Sequence, residues 1–358
     1  SAKAKIFFSD AGQIMFRGPI SIDQEIGPIE FRSGIINSDA MIIELELPDN
    51  RQFPGTVIIN NILTEDEIEP TRYSINTEEL TPIRWGSDRP NPKVLLTGYW
   101  PPSNEMIRHF SQNPELNPDG WVGENWENRG YDVVAYFPEF VPPDCNDCGI
   151  GYGDLEVDYQ NTSEEFWSIT EDVSPLGIIT FSRGYGDMSW EIEMNTYNRT
   201  NWYADYLTPY LPTPNPPDEI SQTNYLRPST LPVEEIQQAV SDTGLELNAY
   251  IDYNGNTGMF VSEFMGYHGV WYQDIHLYSE DPCYASGHIH VGSYLPVNTA
   301  RSAAEESLRT LLDHLDQFIY IPGDVDGDEV INILDIVIVL NYILGTQDLT
   351  YIQFLSAD

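Results

Sequence analysis

Basic residues are scarce in this chain. Lys and Arg number 16 of 358 residues against 57 Asp and Glu, a formal net charge of −41. A surface this negative repels phosphate backbones and anionic membranes, which excludes nucleic-acid binding and leaves cations as the expected counterions. Such charge also keeps a protein dissolved outside the cell or in a salty medium. Long apolar runs are missing as well. A membrane helix needs roughly 18 or more apolar residues, and the longest stretch here, Ile331 to Leu344, is broken by Asn332, Asp335 and Asn341. No secretory leader is visible and the chain begins at Ser1, which fits a mature, processed protein. With three cysteines, no disulfide framework supports the fold. Cys145 and Cys148 form a C-x-x-C in a Pro/Asp/Gly-rich loop. A local disulfide is expected there, since half a zinc site lacks its second C-x-x-C. What is present is typical of a folded protein. Hydrophobic residues make up 41% and aromatics 12%, enough for real cores, and the length predicts roughly two or three domains. An extracellular or cell-surface, secreted protein is the expectation.

The residue pattern divides the chain into three parts. Residues 1–90 read as β: Ala40 to Leu47 alternates, Thr56 to Ile62 is a second strand-like run, and Ile6–Phe8 and Ile29–Phe31 are shorter ones. From 91 to 318 the pattern becomes α/β. Val94–Gly98, Asp132–Phe137, Gly177–Phe181, Leu247–Ile251 and His288–Gly292 are buried-strand candidates. Between them lie helical patterns. One opens at Leu231 behind Thr230 as N-cap and stops before Gly244. A second, amphipathic one spans Asn298 to Leu315. This alternation predicts a three-layer sandwich with a mostly parallel sheet, beside an N-terminal all-β domain.

Residues 319–358 hold a loop with oxygen ligands at regular positions. Asp324, Asp326, Asp328, Asn332 and Asp335 fall at positions 1, 3, 5, 9 and 12, with the Val330 carbonyl at 7. Calcium, a hard cation needing six to eight oxygens, is the ion this spacing wraps. A helix from Ile333 to Leu344 follows, closed by Gly345. The segment resembles the first repeat of a type I dockerin, which implies an EF-hand-like loop–helix. Glu329 stands where such loops carry Gly, so an altered backbone is expected. Phe354 to Asp358 looks like the run-in to a second loop. Paired repeats are what a dockerin presents to a cohesin, so a cohesin-like partner is expected only with a second repeat.

Four further segments occur in order. LLTGYWPP (Leu95 to Pro102) combines a strand end and a turn. SRGYGDMSWEIEMNTYN (Ser182 to Asn198) carries alternating carboxylates. A helix–strand–turn unit runs from Ser229 to Tyr267. SGHIHVGSYLP (Ser286 to Pro296) places two histidines two residues apart. Together they resemble the catalytic motifs of pyroglutamyl peptidase I, the cysteine peptidase family that removes N-terminal pyroglutamate. The resemblance spans about Lys93 to Leu315. It implies that family's fold, puts Ser262 in place of the nucleophilic Cys, His290 at the catalytic His and Glu193 at the Glu that orients it. Asp187 stands where the motif has Arg. Ser103 and Asn104 replace a Gly pair, and Trp100 and Pro102 alter the loop lining the pyroglutamate pocket. Pyroglutamate specificity is therefore not expected.

The chemistry of these residue types can be argued directly. Ser262 is expected to open a helix, whose free N–H groups suit an oxyanion. A hydroxyl, unlike a thiol, also needs a base in contact, and His290 is the candidate. Glu193 would fix its tautomer. The reading is a secreted hydrolase of the serine type acting on a peptide or a small amide or ester. The alternative is a catalytically inactive relative, an extracellular structural or binding protein. Ser262 could also be only a helix N-cap and Glu193 a solvated carboxylate. Cys283 is expected to be buried and unreactive. His288 and His290 would share one strand face, but no third metal ligand follows from spacing. His268 is expected to pack, and Trp100, Trp121 and Trp126 to anchor loops.

Overall fold

The computed structural model describes residues 2–10, 13–22, 40–46, 82–85, 89–141, 148–253, 258–328 and 330–357. They fall in two compact units, Ser1–Arg72 and Tyr73–Asp358. In the first, β1 (Ala2–Asp10), β2 (Gln13–Ile22) and β3 (Ala40–Glu46) form an antiparallel sheet in the order β2-β1-β3. The expected strands at Thr56–Ile62 and Ile29–Phe31 lie outside the described residues, as does Cys145.

In the second unit β4 (Ile83–Arg84) pairs with β15 (Ile319–Tyr320). Two further short pairs are β7 (Pro138–Glu139) with β8 (Tyr152–Gly153), and β11 (Asn195–Tyr197) with β12 (Leu226–Pro228). The central sheet is built from β5 (Lys93–Thr97), β6 (Asp132–Tyr136), β9 (Gly177–Arg183), β10 (Ser189–Glu193), β13 (Asn248–Asp252) and β14 (Ala285–Val291). Its order is β13-β10-β14-β9-β5-β6. Every neighbouring pair is parallel except β10 with β14. The apolar runs read as strands are the ones buried on both faces.

Helices cover both faces, as expected. Side chains alternate along a strand, so Leu95 and Ile178 point to one layer while Val94, Leu96 and Ile179 point to the other. The first layer holds α1 (Tyr159–Val173) and α3 (Val261–His276). The second holds α2 (Val233–Asp242) and α4 (Val297–Leu315). Helix α4 buries Ala300, Ala303, Ala304, Ser307, Leu308, Leu311 and Leu312, one stripe at helical spacing. Helix α3 lies close on the sheet because it carries Gly266 and Gly269. A Cβ at Gly266 would stand 2.9 Å from the His288 ring, and one at Gly269 3.0 Å from Ser286 Oγ.

Two helix starts differ from expectation. The residue preceding α2 is Pro232, with no side-chain cap. Thr230 instead pairs with Ser286: its hydroxyl accepts from the Ser286 amide at 2.8 Å and its amide donates to the Ser286 carbonyl at 2.8 Å. A bridge to a buried strand satisfies more backbone than a cap would. Helix α1 was not anticipated. Its signal is Asp158, whose side chain accepts from the amides of Gln160 and Asn161, ahead of buried Tyr159, Thr162, Phe166, Thr170 and Val173.

A buried ion pair pins the long loop between β11 and β12 to α3. Asp218, 0% exposed, accepts from Arg227 Nη2 at 2.9 Å and the Tyr267 hydroxyl at 2.9 Å, while its other oxygen accepts from the Ser221 amide at 3.1 Å. Asn198, on the same loop, donates to the Asp218 carbonyl at 2.8 Å. Burial acts to raise the Asp218 pKa. Bonds from Ser221, Arg227 and Tyr267 outweigh it and hold the carboxyl at about 2. A depressed carboxylate contributes stability above its unfolded pKa and loses it as pH falls through the folded one. Asp218→Asn should therefore destabilise the protein by about 3 kcal/mol near neutrality. The wild-type advantage in denaturant melts should vanish between about pH 4 and pH 2. An advantage independent of pH over that range contradicts this account.

Candidate functional site

The sheet carries a polar band on the face beneath α3. Residues two apart on a strand share a face. Thr180 and Ser182 on β9 lie opposite His288 and His290 on β14, and these lie opposite Glu193 and Glu191 on β10. Six buried polar side chains thus sit inside an otherwise apolar sandwich, so each needs a partner.

The two histidines are satisfied differently. His288 uses both ring nitrogens: Nδ1 is 2.8 Å from Thr180 Oγ1 and Nε2 is 2.8 Å from Ser182 Oγ. That leaves it no lone pair for a metal. His290 Nδ1 lies 3.0 Å from Glu193 Oε1, with His290 4% and Glu193 1% exposed. Among the described residues nothing hydrogen-bonds its Nε2. Burial lowers the His290 pKa to about 4. Burial also pushes Glu193 well above the ordinary carboxylate value, helped by the Asp252, Glu191 and Glu263 charges and opposed by Arg199. Each shift disfavours charge, and the hydrogen bond between Oε1 and Nδ1 carries one proton. When it rests on Nδ1, Nε2 is the accepting nitrogen.

Ser262 falls in the first turn of α3. The residue before that helix is Phe260, which offers no side-chain acceptor, so among the described residues no N-cap side chain holds the leading amides. The turn is held from below: Glu263 accepts from the Met259 amide at 2.9 Å and from Arg199 Nε at 2.5 Å. Ser262 lines a cleft with Tyr99, Trp100, Ser182, Arg183 and Phe260. Ser182 is the in-register neighbour of His290. The structure thus brings His290 and Glu193 into contact, but no hydrogen bond joins Ser262 to His290. Arg183, a cation on the cleft wall, was missed at the sequence level. The strand expected at Gly177–Phe181 stops short of it, whereas β9 runs on to Arg183.

Cys283 is buried, its thiol pushed up by desolvation. Cys148 is disulfide-bonded. Asp187 caps the entry to β10, accepting from the Ser189 hydroxyl at 2.6 Å. Trp100 Nε1 donates to the Gly149 carbonyl at 2.9 Å and Trp121 Nε1 to the Val133 carbonyl at 2.8 Å, as loop anchors do. His268 packs: Nδ1 faces the Phe264 carbonyl at 2.8 Å and Nε2 faces Ser163 Oγ at 3.0 Å.

The C-terminal loop ends in α5 (Ile333–Ile343), followed by α6 (Tyr351–Ser356). Ligand oxygens of Asp324, Asp326 and Asp335 gather within 4.8 Å of one another. Asp335 accepts from the Val325 amide at 2.7 Å and the Asn332 amide at 2.7 Å, which holds its carboxylate toward the loop start. Asp328 accepts from the Val330 amide at 2.9 Å. Asn332 donates to the Val330 carbonyl at 2.7 Å and caps α5. The left-handed turn comes at Gly327, φ +76°; Glu329 lies outside the described residues. Three converging carboxylates, in a loop whose residues 324–335 include no Lys, Arg or His, fit calcium's need for charged oxygens.

Known proteins supply two comparisons. Residues 322–358 match the dockerin type I domain family. The chain is similar to the pyrrolidone carboxyl peptidase structure from Thermococcus litoralis, at 16% identity and TM-score 0.46, covering 64% of this chain and 99% of that one. It is similar likewise to pyrrolidone carboxyl peptidase from Pyrococcus furiosus, at 16% identity and TM-score 0.45, covering 62% and 99%. No curated protein matches the chain. No helix among the described residues is long and apolar enough to cross a membrane.

Calcium withdrawal should act locally. Without the ion, the Asp324, Asp326 and Asp335 carboxylates repel one another. A calcium chelator should speed proteolysis within Gly323–Gly345 about tenfold or more while α1 to α4 stay protected. Identical digestion patterns with and without chelator would show that no ion holds the loop.

Proposed function

We propose that this protein is a secreted hydrolase that cleaves a peptide, or a small amide or ester, by acyl transfer through Ser262, His290 and Glu193. The carrying observation is the buried His290–Glu193 contact of 3.0 Å with Nε2 left unengaged. A base whose tautomer is fixed on one side and whose other nitrogen is unused is what a weak hydroxyl nucleophile requires. His290 Nε2 takes the Ser262 proton as Oγ attacks the carbonyl carbon. The amides of the first turn of α3 receive the oxyanion. The imidazolium returns that proton to the leaving group, and water, activated by the same nitrogen, releases the acid. Glu193 touches no substrate; it positions His290.

The C-terminal segment is a calcium-held attachment module on this reading, with Asp324, Asp326, Asp328, Val330, Asn332 and Asp335 as its ligands. Helix α5 presents Ile333, Ile336 and Ile343 to solvent, a surface suited to a protein partner. A cohesin-like partner is proposed where a second repeat completes the module. The extracellular setting follows from the same module.

One observation favours the inactive alternative: Ser262 and His290 share no hydrogen bond. Labelling by a fluorophosphonate probe decides between them. Ser262 should be the labelled residue, with the label lost in Ser262→Ala and slowed about 100-fold or more in His290→Ala and Glu193→Gln. An unlabelled wild type with an intact melt leaves a binding protein.

A further inference from the structure

Glu193 uses only one of its oxygens. Oε1 faces His290, while Oε2 is buried with no hydrogen-bond partner. An unpaired buried carboxylate oxygen is costly and needs an explanation. Its surroundings supply little compensation. The Glu191, Asp252 and Glu263 charges all bear on Glu193, and Arg199 is the cation set against them. Arg199 is itself bound to Glu263 at 2.5 Å. Glu191 is 6% exposed and lies directly opposite His290 in the β10–β14 register. Ligand atoms of Glu191, Glu193 and His290 lie within 4.8 Å of one another. Tetrahedral zinc bonds of ~2.0–2.2 Å set ligand atoms about 3.3 Å apart, a spacing that small rotamer changes reach.

We propose that Glu191, Glu193 and His290 form a site for a zinc-class divalent cation, and that its occupancy silences the hydrolytic site. The donor set decides the ion class. Two carboxylates with one imidazole suit zinc and its transition-metal neighbours, whereas calcium and magnesium take oxygen alone. All three ligands stand on adjacent strands of the sheet, a rigid platform. Three protein ligands leave coordination positions for water. Binding replaces the proton between Oε1 and Nδ1, which leaves to solvent, and ties His290 to the metal. The binding claim stands alone; the silencing claim rests on the function proposed above.

The test uses the full chain with its C-terminal loop saturated with calcium. Titration with zinc chloride in a calorimeter should show one zinc site per chain. Cobalt chloride should give the intense visible bands of a four- or five-coordinate complex. Glu191→Gln, which leaves the His290–Glu193 pair in place, should weaken zinc at least about tenfold. That variant should still label at Ser262 with the fluorophosphonate, and zinc should no longer suppress its labelling as it does in wild type. Unchanged zinc affinity in Glu191→Gln, or no zinc bound beside calcium, overturns the site. Should Glu191→Gln fail to fold, the wild-type cobalt spectrum decides: weak, water-like bands overturn the site. Should Ser262 never label, the hydrolase reading fails while calorimetry still reads the metal.

Discussion

The fold depends on burying a polar band inside an apolar sandwich. Thr180, Ser182, His288, His290, Glu191 and Glu193 lie at most 6% exposed under α3. Apolar residues in those places would pack at lower cost, since a buried carboxylate carries a desolvation penalty of several kcal/mol. The band holds because its members bond sideways across β9, β14 and β10. Thr180 and Ser182 bracket His288, and His290 meets Glu193. Gly266 and Gly269 then let the helix lie close against the band. A core selected for stability alone would not carry these groups.

Much of this architecture was legible in the residues. Val94–Gly98, Asp132–Phe137 and Gly177–Phe181 announced themselves because strands covered on both faces are continuous apolar runs. The α4 stripe was equally plain. The reversal of β10 against β14 was not, because Trp190 and Ile192 alternate with carboxylates whatever the strand direction. Helix α1 stayed hidden for another reason: its buried face includes Thr162 and Thr170, polar side chains that dilute the helical period. Thr170 satisfies its hydroxyl on the Phe166 carbonyl at 2.9 Å, a bond no periodicity reveals. At the site, the pairing of Glu193 with His290 could be expected from the motif order. The depth of Glu191 could not, since carboxylates on strands normally face water, and only the cover by α3 buries the face it shares with Glu193.

The calcium loop is legible for the opposite reason. Its ligands are set by local spacing alone, so twelve consecutive residues contain the geometry. The loop meets the rest of the second unit at α6 and β15, where the Gly323 amide donates to the Ser356 carbonyl at 2.6 Å. A segment held by one ion and few apolar contacts opens independently of the core. The calcium loop and the polar band of the sheet are therefore separable parts of the second unit.

Three serine–histidine relations in the second unit show why contact alone does not define a nucleophile. Ser163 and Ser182 each lie within hydrogen-bond distance of a histidine, at 3.0 Å and 2.8 Å. In both, the histidine's Nδ1 is engaged as well: His268 faces the Phe264 carbonyl and His288 faces Thr180. Ser163 sits inside α1, away from uncapped helix amides. Ser182 is fully buried. His290 has no serine bound, yet it alone joins a buried carboxylate on one nitrogen to an unused nitrogen on the other. Ser262 alone combines partial exposure with the uncapped first turn of a helix. A catalytic hydrogen bond that is long or open in the unliganded protein can tighten when substrate binds. On the function proposed above, the reacting group is Ser262 in its cleft and not either of the tighter pairs beside it.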